Sequence, residues 1–152
     1  TLTVNVRTLG EPIRELVASR IEKVVAMCAG ACDVESHVKY DRILPTLVND
    51  KLMCQIAATS AREVLGPECI ENTTPSMAAD DFSLYAERVP GCYVFFGCTA
   101  AGDPAYPLHN GHFSPSEDAL PVACAVMARL CIDYSHYSAA QLAGEFEAGR
   151  QD

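Results

Sequence analysis

The chain has 152 residues, 49% of them hydrophobic, and a net charge of −9. This length and composition allow one modest core and exclude a chain that is disordered by composition. The basic residues form no basic stripe, and no apolar run approaches the roughly 18 residues that a membrane helix needs, so we expect no nucleic-acid partner and no membrane partner.

The beginning of the chain predicts a β-α-β unit. Apolar and polar residues alternate over residues 1–8 and again over residues 33–40, which is typical of half-buried strands. Between them Gly10 forms a turn, Pro12 suits the first turn of a helix, and Gly30 is a stop signal. The predicted inner face of this helix is Ile13, Leu16, Val17, Ile21, Val24 and Cys28. A single unit of this kind leaves its sheet edges unpaired, so it resembles half of a small α/β sandwich.

The second predicted helix follows a linker at residues 44–49. Asp50 is its N-cap, because a carboxylate there accepts a hydrogen bond from the first turn, and Gly66 and Pro67 end it. Its predicted inner face is Leu52, Met53, Ile56, Ala57 and Val64. Residues 68–75 then predict a short strand or a loop.

Two further helices and a buried strand are predicted in the second half of the chain. Ser76 is the N-cap candidate of a helix with Asp80 and Asp81 in its first turn, and residues 92–96 form a continuous apolar strand. A long Gly-, Pro- and Asn-rich loop then leads to Ser116, and loops of this length in compact domains are usually functional. Ser116 caps the last helix, whose predicted inner face is Leu120, Ala123, Cys124, Met127, Leu130, Cys131 and Tyr134.

The eight cysteines are predicted to be free thiols. Their even number is compatible with disulfides, but no Cys-x-x-Cys pair occurs, and Cys124 and Cys131 lie in an apolar helical pattern, where a thiol acts as a small hydrophobe. We therefore expect a reduced, cytoplasmic protein. Because the chain opens with Thr1 and enters a strand pattern at once, we also expect its natural start to lie upstream.

Two loop histidines are the candidate metal ligands. His109 and His112 precede the last predicted helix, and a neutral imidazole at such a place can bind a metal. From these residues alone, an ordinary loop whose histidines bind no metal is favoured over a metal site, because no HExxH, Cys₂His₂ or acidic cluster completes such a site. A two-metal hydrolase needs about five protein ligands, which this chain does not supply alone. For Asp80 and Asp81, stabilisation of a helix dipole is favoured over an acid–base pair.

Five blocks of sequence together resemble one family. TPSMAADDFS at residues 74–83 is similar to PxMGxEDFS, and VPGCYVFFG at residues 89–97 is similar to VPGxFFFLG. Residues 107–121 carry PLH, then Phe, then EDALP, as in PLHxPxFDxDExALP. VRTL at residues 6–9 resembles GTVRTF, and PTLVND at residues 45–50 resembles PPTVND. The blocks occur in the family's order in the metal-dependent amidohydrolases and metallopeptidases that include aminoacylases, hippurate hydrolases, indoleacetyl-amino-acid hydrolases and carboxypeptidases.

This resemblance implies a fold and a division into domains. Family members have an α/β catalytic domain interrupted by a smaller lid domain that dimerises, and this chain resembles their C-terminal part. Residues 1–45 would be the second half of a β-α-β lid, residues 46–137 the end of the α/β catalytic domain, and residues 138–152 a polar tail. The resemblance therefore also implies a missing N-terminal segment and a homodimer.

The resemblance implies hydrolysis of the amide bond of N-acyl amino acids or small peptides, with two divalent metal ions, zinc or manganese, in the intact enzyme. His109 matches the family's metal-binding histidine, and His112 matches no ligand. Arg7 matches a lid arginine that holds the substrate carboxylate, although an exposed strand residue is an equal alternative. The segment from Met77 to Asp81 borders the substrate site. No catalytic residue falls within this chain.

Some positions depart from the family's pattern. Ala78 replaces a glycine, Asp80 replaces a glutamate, and Gly111 replaces the proline that follows the metal-binding histidine.

Two other functions remain open. The chain could be an inactive fragment that acts only as an assembly or dimerisation module, associating through a sheet edge. A regulatory ligand-binding module ranks last, because it requires a complete sandwich.

Overall fold

The computed structural model describes residues 1–71, 73–138 and 141 of the chain. Within these residues the chain forms helices α1 (Glu11–Ala31), α2 (Lys51–Leu65), α3 (Phe82–Ala86) and α4 (Ala119–Tyr134), and a 3₁₀ turn at Pro67–Cys69. The chain divides into two units. The first contains Thr1–Val48 and Thr74–Arg88, and the second contains Asn49–Thr73 and the chain from Val89 onward.

The predicted α/β fold class is wrong, because the described residues form helices and no strand. Residues 1–8, 33–40 and 92–96, all predicted as strands, lie outside any regular element. A strand is held by hydrogen bonds from a neighbour, and alternation alone does not supply one. No backbone hydrogen bond joins residues 1–8 to residues 33–40 in the part of the chain that the structure describes. The β-α-β lid is therefore not formed.

Helix α1 of the first unit begins and ends close to where the sequence predicts, but it does not bury the predicted face. Gly10 precedes it with φ +83°, Pro12 lies in its first turn, and it ends at Ala31, one residue after Gly30. Ala18 is its one buried residue. Exposed members of the predicted inner face include Ile13, Leu16 and Val24. The reason is that α1 makes no packing contact with α3, the other described helix of the first unit, and Val17 and Ile21 of the predicted face are only half-buried.

Polar contacts hold the N-terminal part of α1 within its unit. The Gly10 amide donates to Thr46 Oγ1 at 2.9 Å, and the Arg14 guanidinium donates to the Leu44 carbonyl. Arg42 forms an ion pair with Glu15 at 2.5 Å. These contacts lie at or near the surface, where ion pairs contribute little to stability. They fix the position of the chain around residue 44 without creating an apolar core.

The packed core of the second unit lies between α2 and α4. Asp50 caps α2 as predicted, with its carboxylate accepting from the Met53 amide at 2.9 Å. The end at Gly66, with φ +93°, is also confirmed. Ile56 of α2 is 3% exposed and Val126 of α4 is 4% exposed, and α2 packs directly on α4. Of the predicted α2 face, Ile56 and Ala57 are buried, whereas Val64 is exposed.

Helix α4 turns a different face to α2 from the one that the sequence predicts. Its buried and half-buried residues are Ala119, Ala123, Val126, Arg129, Leu130 and Asp133. Only Ala123 and Leu130 belong to the predicted face, and Leu120 is 66% exposed. The prediction fails because α4 is apolar almost all round, so its periodicity does not select one side. Contact with α2 makes that selection.

A polar network joins α2 to α4 beside this core. Ser60 is fully buried, and its hydroxyl donates to Asp133 Oδ2 at 2.6 Å. The Arg129 guanidinium pairs with Asp133 at 2.9 Å on its own helix and with Glu63 on α2. Hydrogen bonding from Arg129, and then from Ser60, lowers the pKa of the Asp133 carboxyl from its ordinary value. Folding therefore favours the ionised form of the Asp133 carboxyl.

This network predicts an acid-sensitive contribution to stability. Because the pKa of Asp133 is lower in the folded than in the unfolded chain, its contribution is complete above the ordinary value of 3.8 and is lost as the pH falls through the lowered pKa. We expect the difference in thermal midpoint between wild type and Asp133→Asn to shrink as the pH falls below about 4. Asp103→Asn, in an exposed loop, should show no such convergence. A difference that stays constant with pH would contradict the prediction.

Two predicted helix caps are displaced, and one prediction falls outside the described residues. Ser76 accepts from the Ala78 amide at 3.1 Å, but no helix begins there, and α3 starts at Phe82. Ser116 accepts from the Asp118 amide at 3.3 Å, one turn before α4. Of the predicted polar tail at residues 138–152, only residues 138 and 141 are described. The predicted domain boundary at residue 45 stays a prediction.

None of the described helices is both long enough and apolar enough to cross a membrane.

Candidate functional site

Arg7 and Met77 are brought together in the first unit. Arg7 Nη1 donates to the Met77 carbonyl oxygen at 3.2 Å, although 70 residues separate them. Both side chains are exposed, and Arg7 forms no ion pair with a carboxylate among the described residues. A guanidinium has five N–H donors in a planar fork, so most of them remain available to a ligand.

The segment that leads from Met77 into α3 is organised by Asp80. The Asp80 carboxylate accepts from the Phe82 amide at 2.8 Å, and its carbonyl accepts from the buried Ser83 hydroxyl at 2.7 Å. Asp81 is exposed and immediately precedes α3, where its carbonyl accepts from the Leu84 amide at 3.0 Å. Asp80 therefore organises the turn that precedes α3, while the Asp81 side chain lies at the surface. Neither residue lies in the first turn of a helix, where the sequence placed both of them to stabilise a helix dipole, because α3 begins only at Phe82.

His109 occupies the third position of a tight turn in the second unit. The Asn110 amide donates to the Pro107 carbonyl at 3.2 Å, which closes the turn, and His109 has φ +68°. A type II turn requires a positive φ at this position, and Gly or Asn usually occupies it. A histidine in this conformation is uncommon, and such residues cluster at functional sites. The turn leaves the His109 side chain exposed.

The residues after His109 fold into a second turn. The Phe113 amide donates to the Asn110 carbonyl at 3.0 Å, and the His112 amide donates to Asn110 Oδ1 at 2.9 Å. The His112 ring lies 5.4 Å from the Tyr106 ring, centroid to centroid. His112 is thus engaged in a ring contact within the loop, whereas the two turns define the backbone around His109.

The described residues do not form a complete metal site. Among them no group of three or more His, Cys, Asp or Glu side chains is placed to hold a metal ion. His109 contributes one imidazole, and a tetrahedral zinc site needs three or four protein ligands. The part of the chain that the structure describes therefore does not fit two divalent ions, and no chemical step can be assigned to a metal from it.

The four site residues predicted from the sequence fall in two groups. Arg7, Met77 and Asp81 belong to the first unit, and His109 belongs to the second. Within the first unit, Arg7 contacts Met77 directly, and Asp81 follows four residues later at the start of α3. The proposed roles of all four residues stay predictions.

Sequence reasoning missed a pair of thiols in the second unit. Cys54 Sγ lies 3.5 Å from Cys92 Sγ, and both residues are half-buried. Thirty-eight residues separate them. No short motif could have revealed this pair, because only the folding of the second unit brings the two positions together.

Comparison with known families gives one match that covers most of the chain. The model of the family described as Peptidase family M20/M25/M40 matches residues 6–133. That range contains both units' candidate residues, from Arg7 to His109. No solved structure matches the chain significantly.

The chain is also similar to several curated hydrolases, of which it spans about a third of the length. It is 27% identical over 135 residues to the hippurate hydrolase of Campylobacter jejuni, which covers 88% of this chain and 34% of that protein. It is 26% identical to thermostable carboxypeptidase 1 of Saccharolobus solfataricus, over 86% of this chain and 33% of that protein. It is 28% identical to the N-acetylcysteine deacetylase of Bacillus subtilis, over 84% of this chain and 32% of that protein.

Proposed function

Because the chain belongs to peptidase family M20/M25/M40, we propose that it is part of a longer hydrolase that cleaves the amide bond of N-acyl amino acids or small peptides. The observation that carries this proposal is the family match over residues 6–133. The names of the relatives support the substrate class, since hippurate and N-acetylcysteine are both N-acylated amino acids. A missing N-terminal segment, a homodimer and a cytoplasmic location remain further parts of the proposal.

In this proposal His109 coordinates a divalent metal as one ligand, and the other ligands come from outside the chain. An imidazole nitrogen is a ligand that both zinc and manganese accept. The exposed side chain and the unusual backbone conformation of His109 support this role, because the turn presents the ring at the surface and no described residue forms a hydrogen bond with it.

Arg7 is proposed to bind the terminal carboxylate of the substrate. Arginine pairs with a carboxylate through two parallel N–H···O bonds, which fixes orientation as well as charge. The contact of Nη1 with the Met77 carbonyl supports this role, since it orients the guanidinium while leaving other donors available. Met77 and Asp81 would then border the position of the bound substrate.

Replacing Arg7 tests this assignment. In the longer protein, Arg7→Ala should raise the KM for an N-acyl amino acid by roughly 10-fold, as expected for loss of a charge-assisted hydrogen bond. Arg7→Lys should restore little of the lost substrate binding, because lysine lacks the planar fork. Arg20→Ala, which removes an exposed cation of α1, is the matched control and should leave KM unchanged. An equal effect of Arg7→Ala on the amidated substrate, which has no carboxylate, would contradict the role.

The proposed activity itself is tested with the longer protein and a panel of amides. Hippurate, N-acetyl amino acids and short peptides should be hydrolysed to an acid or acyl fragment and a free amino acid, detected by amine release. Removal of divalent ions with a chelator should abolish activity, and zinc or manganese should restore it. No hydrolysis of any member of the panel with metal present would reject the proposal. Full activity in the chelated protein would reject the metal.

A second candidate function is an inactive assembly module, and the exposed apolar residues favour it. On α1 the side chains of Leu16, Val24 and Met27 are exposed, and on α4 Leu120 and Ile132 are. Apolar surface of this kind marks contact with another chain or segment. Mass measurement of the purified protein separates the two candidates. A mass of 16.4 kDa with no metal and no activity supports the module, and a larger product with metal supports the hydrolase.

A further inference from the structure

We propose that Cys54 and Cys92 form a redox-reactive thiol pair that a small-molecule disulfide converts to an intramolecular disulfide. Their sulfur atoms are 3.5 Å apart in the reduced structure. A disulfide bond is about 2.05 Å long, so closing it requires an approach of roughly 1.5 Å, within reach of side-chain rotation and small backbone shifts. This pair is independent of the proposed hydrolysis.

The backbone on both sides of the pair is already held in place. The Asp50 amide donates to the Gly91 carbonyl at 2.8 Å. The Asn49 side chain forms two hydrogen bonds with the Tyr93 backbone, accepting from its amide at 2.8 Å and donating to its carbonyl at 3.1 Å. Cys92 therefore lies between two residues that are both bound to the start of α2. This arrangement keeps the thiols close without a covalent bond.

The environment of the pair disfavours ionisation of the Cys92 thiol. Burial, the hydrogen bond to Cys54 and the nearby Asp50 carboxylate raise the pKa of Cys92 to about 12. Cys92 therefore retains its proton at neutral pH, so its attack belongs to the second step, in which its proton is removed as the new bond forms. Both residues are half-buried and not sealed, so a small oxidant can reach them.

The reaction balances with oxidised glutathione as the co-reactant. The Cys54 thiolate attacks one glutathione sulfur, which forms a mixed disulfide and releases one glutathione thiolate. Cys92 then attacks the Cys54 sulfur, its proton passing to the second glutathione as that leaves. Two protein thiols are oxidised, and one glutathione disulfide is reduced to two glutathione thiols. The product closes a covalent loop that contains the chain from Met77 to Asp81.

The test is oxidation of the folded protein with oxidised glutathione, followed by alkylation of free thiols and peptide mass mapping. We expect the Cys54–Cys92 linkage to be the main cross-link and to form at least about 10-fold faster than in urea, because folding holds the thiols together. Cys54→Ser and Cys92→Ser should abolish it. Cys98→Ser, which removes another half-buried thiol of the same unit, should leave it unchanged.

Two results would overturn the proposal. In the first, the linkage forms no faster in the folded protein than in urea. In the second, the cross-links join mainly the exposed cysteines, which are Cys28, Cys32, Cys124 and Cys131, while Cys54 and Cys92 are recovered alkylated. A control on reversal completes the design: dithiothreitol should restore all eight free thiols and the original mass.

Discussion

Replacing His109 in the longer hydrolase should reduce kcat/KM by about 100-fold or more and lower the bound metal together with it, because even residues that only support a metal ligand are worth 10- to 100-fold. The substitution has to separate the imidazole from the turn. His109 has φ +68°, a conformation that glycine adopts without strain. His109→Gly therefore keeps the turn and removes the ligand, whereas His109→Ala adds backbone strain to the loss.

His112→Ala is the matched control for this prediction. It removes an exposed imidazole three residues away in the same loop, together with its ring contact to Tyr106. We expect it to retain metal and most of the activity. The measurements are metal content per chain and hydrolysis of an N-acyl amino acid, with circular dichroism to confirm folding. Full metal content and full activity in His109→Gly would exclude His109 as a ligand.

The second large effect is expected at the contact between α2 and α4. Ile56 is 3% exposed and is the most deeply buried apolar residue of the described chain. Ile56→Ala removes its buried methyl and methylene groups and leaves a cavity, which should lower the free energy of unfolding by about 2–4 kcal/mol. The measurement is a urea titration followed by helical circular dichroism, with the slope compared between variants.

Two further variants bracket this result. Ile56→Val removes a single methylene and should lower the free energy of unfolding by about 1 kcal/mol. Ile132→Ala makes a similar change on α4, where the side chain is 56% exposed, and should have little effect. Equal destabilisation by Ile56→Ala and Ile132→Ala would mean that the contact between α2 and α4 is not the core of the second unit.

The caps and turns were the part of the local structure that sequence reasoning predicted well. Asp50 caps α2, and Gly66 with Pro67 ends it, because a carboxylate at the N-cap and a positive φ at the C-terminus are local requirements. Gly10 and Pro12 mark the start of α1 for the same reason. The two displaced caps, Ser76 and Ser116, do accept backbone hydrogen bonds, but in turns that precede the helices.

The strands and the helix faces were predicted poorly, because both depend on a partner. Alternation at residues 1–8 and 33–40 describes what a strand would present to a sheet, yet no pairing forms among the described residues. On α4, Leu120 and Val126 are equally apolar, but Val126 is buried against α2 and Leu120 is exposed. Hydropathy does not distinguish two apolar residues when only one of them meets a neighbour.

The sequence by itself determined the family, through blocks of residues between Val6 and Pro121 that all fall within the M20/M25/M40 match over residues 6–133. It also supplied the candidate residues Arg7, Met77, Asp81 and His109, because a motif is local in the chain, and their roles stay predictions. Only the tertiary structure decided that Arg7 lies against Met77, that Asp133 accepts a hydrogen bond from Ser60 of α2, and that two distant thiols approach each other. Such contacts depend on long-range packing, which no local pattern encodes.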